Sequence, residues 1–507
     1  MRGLGWRRVG LGVFLAALAC GPLAGRFAGR GTTYDVVLAG GRVIDPASGL
    51  DDVRDVGISD GHIAAISTRR LAGRDVIDVS GLVVAPGFVD LHAHGQDETG
   101  RWLQAQDGVT TALDMEAGVW PVAPWYAAQE GRSPIHYGAA VGHIPARRKL
   151  KHDVDAGHPP TSSRELQELF IRERAWAYDA ASPAEIDRLV ALLEAGLHDG
   201  APGIGVGIQY TPAAGQDEIL RVFELAGRTH APIFVHTRWI SVSAPGSSIE
   251  AVQEVLADAA ATGASLHIMH VASSGLRQTP VILDLIDGAR QHGVDVSTEA
   301  YPYTAASTVL ASAFFDPGWD KRLGISYGDV QWAATGERLT RASFERYRKT
   351  ATGNAIVHMI PEEVVTTAIG SPLVMIASDG MVFRTGGEHP RGAGTFARVL
   401  GRYVRERGTI GLMDAIRKTS LMPADRLAGY VPAMRRKGRL VVGADADITV
   451  FDAARVIDRA TYEKPMQASE GIRHVLVNGT PVVRDGAPMK GALPGRPVRA
   501  EAAEPSA

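Results

Sequence analysis

Residues 83–94 read VVAPGFVDLHAH, an apolar run that ends in two histidines. Seven further apolar runs follow it: VTTALDME (109–116), IHYGAAVGH (135–143), GIGVGIQY (203–210), APIFVHT (231–237), SLHIMHV (265–271), VDVSTEAYPY (294–303) and PLVMIASDG (372–380). Amphipathic segments such as 182–200 and 248–263 lie between them. Eight strands separated by helices over residues 86–430 predict a (β/α)₈ barrel. A doubly wound open sheet shows the same alternation and stays open as the alternative at this point.

Both ends of the chain are rich in β-forming residues. Residues 33–85 alternate short β-rich runs with turns, and 431–490 return to the same style in GRLVVGADADITVFD and IRHVLVNGTPVVRDG. We therefore expect one small β-sandwich domain built from both ends, with the first part forming an antiparallel sheet. Residues 491–507 are expected to be a disordered tail, and 310–372 an insertion near the mouth of the barrel.

Most of the predicted barrel strands end in a side chain that can bind a metal ion. In chain order these side chains are His92 and His94, Glu116, His143, His236, His270 and Asp379. In a barrel the carboxyl ends of the strands meet at one face. Residues i and i+2 of a strand point the same way, so both imidazoles of the H-A-H stretch face that mouth. Imidazole and carboxylate are ligands for Zn²⁺ and similar divalent ions, which predicts a metal centre.

The motifs together resemble a known family. They run in order from about residue 34 to 487 and include APGFVDLHAHGQD (85–97), GVTTALDMEAG (108–118), FVHTR (234–238), HIMHVASSG (267–275), EAYPYTAAST (299–308) and HPRGAGTF (389–396). They are similar to those of the amidohydrolase superfamily, and within it to the N-acyl-D-amino-acid deacylases. The resemblance implies a (β/α)₈ barrel beside a small β-sandwich. It also implies metal-dependent hydrolysis of an N-acyl-D-amino acid to a D-amino acid and a carboxylate.

Three positions depart from that family pattern. D-aminoacylases usually carry a metal-binding cysteine on the second strand, where this chain has Glu116. The fourth strand, in GIGVGIQYTP (203–212), has no lysine to bridge two metals. Glu116 is therefore expected to be the anionic ligand, and a carboxylate can bridge two ions. Ala272 stands where the family often has a lysine for the substrate carboxylate, so a cyclic-amide hydrolase of the dihydroorotase or hydantoinase type, or a dipeptidase, remains an alternative.

Chemistry and resemblance together assign the site residues. The predicted metal ligands are His92, His94, Glu116, His236 and His270, for one or two Zn²⁺ ions. Asp379 is the predicted general base and acid, because hydrolysis needs a carboxylate that accepts the proton of the attacking water. The predicted substrate contacts are His143, Tyr301, Tyr303 and Arg391, of which His143 is an oxyanion donor or an outer-sphere residue.

Composition limits the class of protein and its location. The 507 residues carry a net charge of -3 and are 45% hydrophobic, which excludes a disordered chain and gives no reason to expect nucleic-acid binding. Cys20, the single cysteine, follows Arg7, Arg8 and an apolar run, which is typical of an export signal. Cleavage after Ala19 would give a periplasmic protein, and lipidation of Cys20 a membrane-anchored one. A small-molecule amide is the expected partner, and a non-catalytic metal-containing binding protein of the cell envelope is the alternative from another class.

Overall fold

The computed structural model describes residues 33–155, 157, 162–350, 352–381 and 388–501; the predicted export signal with Cys20 lies outside these ranges. The strands are β1 (Thr33–Asp45), β2 (Leu50–Ser59), β3 (His62–Ser67), β4 (Ala72–Asp78), β5 (Val83–Pro86), β6 (Phe88–Asp90), β7 (Val109–Val119), β8 (His136–Gly142), β9 (Ile204–Gly207), β10 (Ile233–His236), β11 (Leu266–Ile268), β12 (Val296–Ala300), β13 (Ala306–Val309), β14 (Val330–Trp332), β15 (Asn354–Val357), β16 (Val374–Ile376), β17 (Ile448–Phe451), β18 (Ile472–Val477), β19 (Thr480–Arg484) and β20 (Ala487–Pro488).

The helices lie mostly between the barrel strands. They are α1 (Glu98–Gln106), α2 (Val122–Gln129), α3 (His143–His152), α4 (Ser163–Gln167), α5 (Ala175–Tyr178), α6 (Pro183–His198), α7 (Gln216–Thr229), α8 (Ser248–Thr262), α9 (Val271–Gly275), α10 (Thr279–Gln291), α11 (Trp319–Leu323), α12 (Arg341–Arg348), α13 (Glu362–Gly370), α14 (Arg391–Arg398), α15 (Leu412–Ile416) and α16 (Met422–Ala428). A π-helical turn, Glu168–Arg172, continues α4, and 3₁₀ turns include Ile208–Tyr210 and Ala313–Phe315. None of the helices in the described ranges is long and apolar enough to cross a membrane.

Eight parallel strands form the barrel. Their order is β16-β12-β11-β10-β9-β8-β7-β6, which follows the chain without a reversal. The two edge strands come together where Ala93 bridges Gly380 and the Ser378 amide donates to Asp90 Oδ1 at 3.0 Å. A doubly wound sheet would reverse its strand order at a switch point. The predicted (β/α)₈ barrel is therefore confirmed, and the open-sheet alternative is wrong.

The helix α6 shows how the sequence specifies these elements. It begins with a capping box between Ser182 and Glu185, and Pro183 fits the first turn because its missing amide would have no helical partner. Its apolar face buries Leu189 and Leu193, which are fully inaccessible to solvent. Ordinary capping and helical periodicity thus place the helices on the outside of the barrel.

A second sheet combines strands from both ends of the chain. Its order is β20-β19-β18-β17-β5-β1-β2-β3, and β4 pairs with β1 off this path. Leu38 and Val56 from the beginning share a buried cluster with Ile448 and Leu476 from the end. The sheet differs from the purely antiparallel arrangement expected for the first part, because β4 and β5 both run parallel to β1.

Residues 491–501 correct the prediction of a disordered tail. The Val498 amide donates to the Tyr137 carbonyl at 2.8 Å, and the Tyr126 hydroxyl donates to the Val498 carbonyl at 2.7 Å. Val498 is 1% exposed. The prediction relied on the position of this stretch at the chain terminus, whereas backbone hydrogen bonds to the barrel order it. Residues 502–507 lie outside the described ranges.

The segment predicted as an insertion contributes two strands, β14 and β15, to a small separate sheet. The strands β13, β15 and β14 make a three-stranded antiparallel sheet. Most of its aromatic side chains pack on one another: Trp319 stacks on Phe344 at 5.1 Å between ring centroids, and Trp332 stacks on Tyr347 at 4.6 Å. Phe314 differs from these, since it reaches the pocket described below.

Candidate metal centre

Six predicted site residues come together at the carboxyl ends of the barrel strands. His92 and His94 follow β6, Glu116 lies within β7, His236 ends β10, His270 follows β11 and Asp379 follows β16. All six are buried, with exposed fractions from 0% to 7%. Their convergence is the arrangement expected from the common position at strand ends.

Glu116 lies at the middle of this cluster. Its Oε2 is 3.2 Å from Nε2 of both His92 and His94. Its Oε1 is 2.8 Å from Nδ1 of His236 and 3.1 Å from Nε2 of His270. One carboxylate therefore faces two pairs of imidazoles, one pair with each oxygen.

The donor atoms form two groups that share Glu116. The first contains His92, His94, Glu116 and Asp379, and the second Glu116, His236 and His270; within each group the ligand atoms lie within 4.8 Å of one another. The facing nitrogens are close, at 3.0 Å for His92 and His94 and 3.1 Å for His270 and His236. Two imidazole lone pairs at that distance repel each other unless a cation or a proton lies between them. The donor set fits one or two divalent metal ions.

In each histidine one ring nitrogen faces Glu116 and the other, the outer nitrogen, points away from it. Each outer nitrogen contacts a different partner. Nδ1 of His92 is 2.6 Å from Glu299 Oε1, and Nδ1 of His94 is 3.1 Å from Asp114 Oδ2. Nε2 of His236 is 2.7 Å from Gln209 Oε1, and Nδ1 of His270 is 2.9 Å from Ser274 Oγ. A donor proton on each outer nitrogen leaves the inner lone pair facing the cluster.

Sequence reasoning did not find these four partners. Asp114 offered a signal, because it stands two residues before Glu116 on one strand and so shares its face. Glu299 offered another signal, because it is an acidic residue within a predicted strand. The structure shows that this strand is buried throughout. Gln209 and Ser274 gave no comparable signal, because neutral polar residues after a strand are common.

Close packing of β9, the fourth barrel strand, against β7 requires a glycine within the GIGVG run (203–207). Gly205 of β9 lies so close to β7 that a Cβ atom there would collide with the Glu116 carbonyl oxygen. A side chain at this position would displace the central carboxylate. Gly205 is therefore a packing requirement of the centre.

Charge within the cluster shifts its pKa values in opposite directions. Burial would raise the pKa of Glu116, but His92 and His236 hold it well below its usual range. Burial would lower the pKa of His94, but Asp114 and Glu116 raise it to about 10. For His236 burial dominates and lowers the pKa. The buried carboxylates therefore favour positive charge at the first pair of histidines, which a metal cation would supply in place of protons.

Two site residues have an unusual backbone conformation. His270 has φ of 31° and Asp379 has φ of 53°, both in the left-handed region that non-glycine residues seldom adopt. Each lies within three residues of the end of a barrel strand, and its side chain faces the cluster. Such conformations concentrate at functional sites, where the surrounding structure maintains them.

The predicted substrate contact Arg391 binds Asp379 in the structure. Its guanidinium NH1 is 2.8 Å from Asp379 Oδ2, and Cζ lies 4.6 Å from the centre of the Tyr301 ring. Arg391 is 1% exposed and does not line the pocket. Arg391 pairs with the predicted base and does not reach the pocket, so its direct contact with substrate stays a prediction.

His143 and Tyr303 lie away from the cluster. Nε2 of His143 is 2.8 Å from Glu218 Oε1. The Tyr303 hydroxyl is 3.4 Å from Asp458 Oδ2, and its ring packs under Arg398. Neither side chain lines the pocket. Their predicted substrate roles find no contact in this structure and remain predictions.

A pocket of about 180 Å³ opens onto the cluster. Five of the six cluster residues line it, together with mainly apolar side chains that include Ile144, Leu166, Leu169, Phe170, Trp176, Ile240, Val309, Phe314 and Met359. Two buried hydroxyls in its wall, of Tyr301 and Ser307, have no hydrogen-bond partner. A bound molecule can satisfy them, and Ser307 is a pocket residue that sequence reasoning missed.

Comparison with known proteins identifies the class of this fold and site. Residues 75–483 match the Amidohydrolase family, and the chain belongs to that family. This confirms the resemblance of the motifs and the expected class of enzyme, a hydrolase of carbon–nitrogen bonds other than peptide bonds.

Two curated relatives come from Alcaligenes xylosoxydans xylosoxydans. N-acyl-D-glutamate deacylase is 34% identical over 493 residues, which are 92% of this chain and 97% of the relative. D-aminoacylase is 31% identical over 491 residues, which are 90% of this chain and 95% of the relative. A dihydroorotase from Pelotomaculum thermopropionicum is 28% identical over 426 residues, 82% of this chain and 88% of the relative.

Solved structures share the same architecture. The crystal structure of N-acyl-D-glutamate deacylase from Bordetella bronchiseptica, complexed with zinc and a phosphonate inhibitor, matches with a TM-score of 0.77 at 28% identity. The match covers 92% of this chain and all of that chain. A D-aminoacylase crystal structure matches with a TM-score of 0.76 at 26% identity and the same coverage. The expected barrel with a separate β-domain is confirmed.

Proposed function

We propose that the protein hydrolyses N-acyl-D-amino acids to a D-amino acid and a carboxylate, using bound Zn²⁺. The observation that carries this proposal is the pair of donor groups joined by Glu116, with Asp379 beside them at the end of an apolar pocket. Two relatives named as deacylases of this type support the substrate class. The relative solved with zinc supports the choice of metal.

The residues of the cluster fit the hydrolysis of an amide. A divalent ion at this centre supplies a lowered pKa for water and polarisation of the carbonyl under attack. Asp379 Oδ1 faces the cluster while Oδ2 pairs with Arg391, so the carboxylate is held with one oxygen free to act. Oδ1 accepts the proton of the attacking water and returns it to the departing nitrogen, which leaves as a free amine.

The pocket residues orient the substrate. The unpartnered hydroxyls of Tyr301 and Ser307 donate hydrogen bonds to polar groups next to the scissile amide, because a buried hydroxyl without a partner is destabilising. The apolar wall of Leu169, Phe170 and Phe314 takes up the aliphatic or aromatic part of the substrate and excludes water.

A substrate panel tests the proposed function. Purified protein is incubated with N-acetyl-D-amino acids, their L-enantiomers, a hydantoin, dihydroorotate and a dipeptide, and released amine or ring opening is measured. Release from the D-series with the L-series at least about tenfold slower would support the proposal. Turnover of the cyclic amides alone would favour the alternative to which the dihydroorotase relative points. If metal-loaded protein turned over none of these substrates, the result would favour the alternative of a non-catalytic binding protein.

We propose separately that the protein is exported and, through Cys20, anchored to a membrane or released into the periplasm. The supporting features are Arg7, Arg8, the apolar run that follows them and the cysteine after Ala19. Cell fractionation of the wild type and Cys20→Ala tests this. A lipid anchor predicts that the wild type partitions with membranes and the variant does not, and retention of both in the cytoplasm would contradict export.

A further inference from the structure

A second cavity, of about 570 Å³, is lined by residues of the helices α1 and α2 and of the loop before α1. Its size lies within the range of about 300–1,000 Å³ that is typical of small-molecule sites. His94 and Asp114 also line it, so it reaches the outer side of a predicted metal ligand. Among the described residues, His94 alone lines both this second cavity and the pocket over the cluster.

Arg101 of α1 brings a buried positive charge to the wall of the second cavity. It is 3% exposed, its Nη2 donates to Gln129 Oε1 at 2.9 Å, and its Nε has no hydrogen-bond partner. No carboxylate in the described part of the chain forms an ion pair with it. Burial lowers the pKa of Arg101 to about 10, and the charges of Tyr137 and Asp97 offset this only in part. A buried cation without a counter-charge is destabilising, so an anion bound in the cavity would compensate it.

The same cavity carries acceptors for a positively charged group. Gln96 donates from Nε2 to the Gly138 carbonyl at 2.7 Å, which fixes its amide, and its Oε1 has no hydrogen-bond partner. Asp97 and Glu98, at the start of α1, line the cavity as well. Amide and carboxylate oxygens accept hydrogen bonds from an ammonium group. The lining therefore suits a ligand that carries both a negative and a positive charge.

Much of the remaining wall is apolar. Trp102, Trp125 and Leu493 line it, and Trp125 is 5% exposed. Aromatic side chains offer a large apolar contact area to a bound molecule. A carboxylate, an ammonium group and an apolar side chain on one small molecule define an apolar α-amino acid.

We propose that the second cavity binds a free α-amino acid, with its carboxylate on Arg101 and its ammonium group on Gln96 Oε1 and the acids at the start of α1. An N-acyl amino acid lacks the ammonium charge, and an inorganic anion would match Arg101 alone. The D-amino acid released by hydrolysis is the ligand of this class that the enzyme itself would supply. This last step rests on the proposed function, whereas the site does not.

Crystals of the protein as purified, soaked in D-leucine, test the site directly. Density in the second cavity with the carboxylate beside Arg101 is expected. Density confined to the pocket over the cluster, or no density at all, would overturn the proposal. The soak needs no turnover, so its result is independent of the substrate panel that tests the proposed function.

Calorimetry distinguishes the possible ligands. We expect D-leucine to bind the wild type at least about tenfold more tightly than acetate or phosphate, because these anions lack the ammonium group. Equal affinity for acetate or phosphate would indicate a general anion site and overturn the assignment to an amino acid. Tighter binding of L-leucine than of D-leucine would overturn the link to the reaction product.

Matched variants test the role of Arg101. Arg101→Gln should weaken the binding of D-leucine in the second cavity about 10- to 100-fold, because charged hydrogen bonds to the carboxylate are lost. Arg148 lines the pocket over the cluster instead, so Arg148→Gln is the control and should leave this binding unchanged. Unchanged binding in Arg101→Gln would overturn the proposal. Circular dichroism checks the folding of both variants, and the wild-type soak decides if a variant does not fold.

Discussion

Asp379 is the residue on which hydrolysis depends in this account. Asp379→Asn keeps the shape and the contact with the cluster but cannot accept the proton of water. We expect kcat to fall about 10²- to 10⁴-fold while zinc is still bound by the histidines and Glu116. Metal analysis and steady-state kinetics on the same preparation check this, and an active variant would exclude Asp379 as the base.

Arg391 distinguishes a positioning role from substrate contact. Its guanidinium binds Asp379 and lies outside the pocket wall, so its loss should affect the base more than substrate affinity. For Arg391→Lys we expect a lower kcat, by about tenfold or more, with KM changed little. A rise in KM at constant kcat would instead support the direct substrate contact predicted from the sequence motif.

At the scale of elements, the segment between β13 and β15 is expected to supply both packing and specificity. Phe314 lines the pocket, whereas Phe344 packs in the aromatic cluster behind it. Phe314→Ala should raise KM for apolar substrates, because about 2 kcal/mol or more of apolar contact is lost. Phe344→Ala is the matched control and should lower the melting temperature without raising KM. An equal rise in KM for Phe314→Ala and Phe344→Ala would contradict a specific contact between Phe314 and the substrate.

The elements were largely predictable from sequence, and so was the cluster. Apolar runs ending in His92, His94, Glu116, His236, His270 and Asp379 define strands, and parallel strands in a barrel must bring those ends to one face. The outer partners were less predictable, because Gln209 and Ser274 act through local backbone geometry that residue type does not reveal. Residues 491–501 were mispredicted since their order comes from backbone pairing with Tyr137 and Gly200, which leaves no hydrophobic pattern.

At the scale of the whole molecule, a buried charge network joins the β-domain to the barrel. Asp447, next to β17, accepts hydrogen bonds from His136 of β8 at 3.0 Å and from Lys437 at 2.7 Å. Burial would raise the pKa of Asp447, but His136 and Lys437 hold it far below its usual range. This carboxylate therefore stabilises the fold above the pKa of an unfolded aspartate, and the stabilisation is lost as the pH falls.

Removal of that charge should destabilise the junction. For Asp447→Asn we expect the free energy of unfolding at pH 7 to fall by about 1–3 kcal/mol, because buried Lys437 keeps only Asp445 as a counter-charge and the hydrogen bond to His136 loses its charged acceptor. The difference between wild type and variant should shrink as the pH falls below about 4. Chemical denaturation at several pH values measures both effects, and a difference that grows on acidification would contradict the assigned ionisation.

Removing the metal and adding it back tests whether the cluster around Glu116 is a hydrolytic centre. Protein treated with a chelator should lose its bound zinc and its turnover of an N-acetyl-D-amino acid together, and both should return when Zn²⁺ is added back. Glu116→Ala, treated in the same way, should recover neither. Full turnover by protein shown to be free of metal would contradict the function proposed for this site.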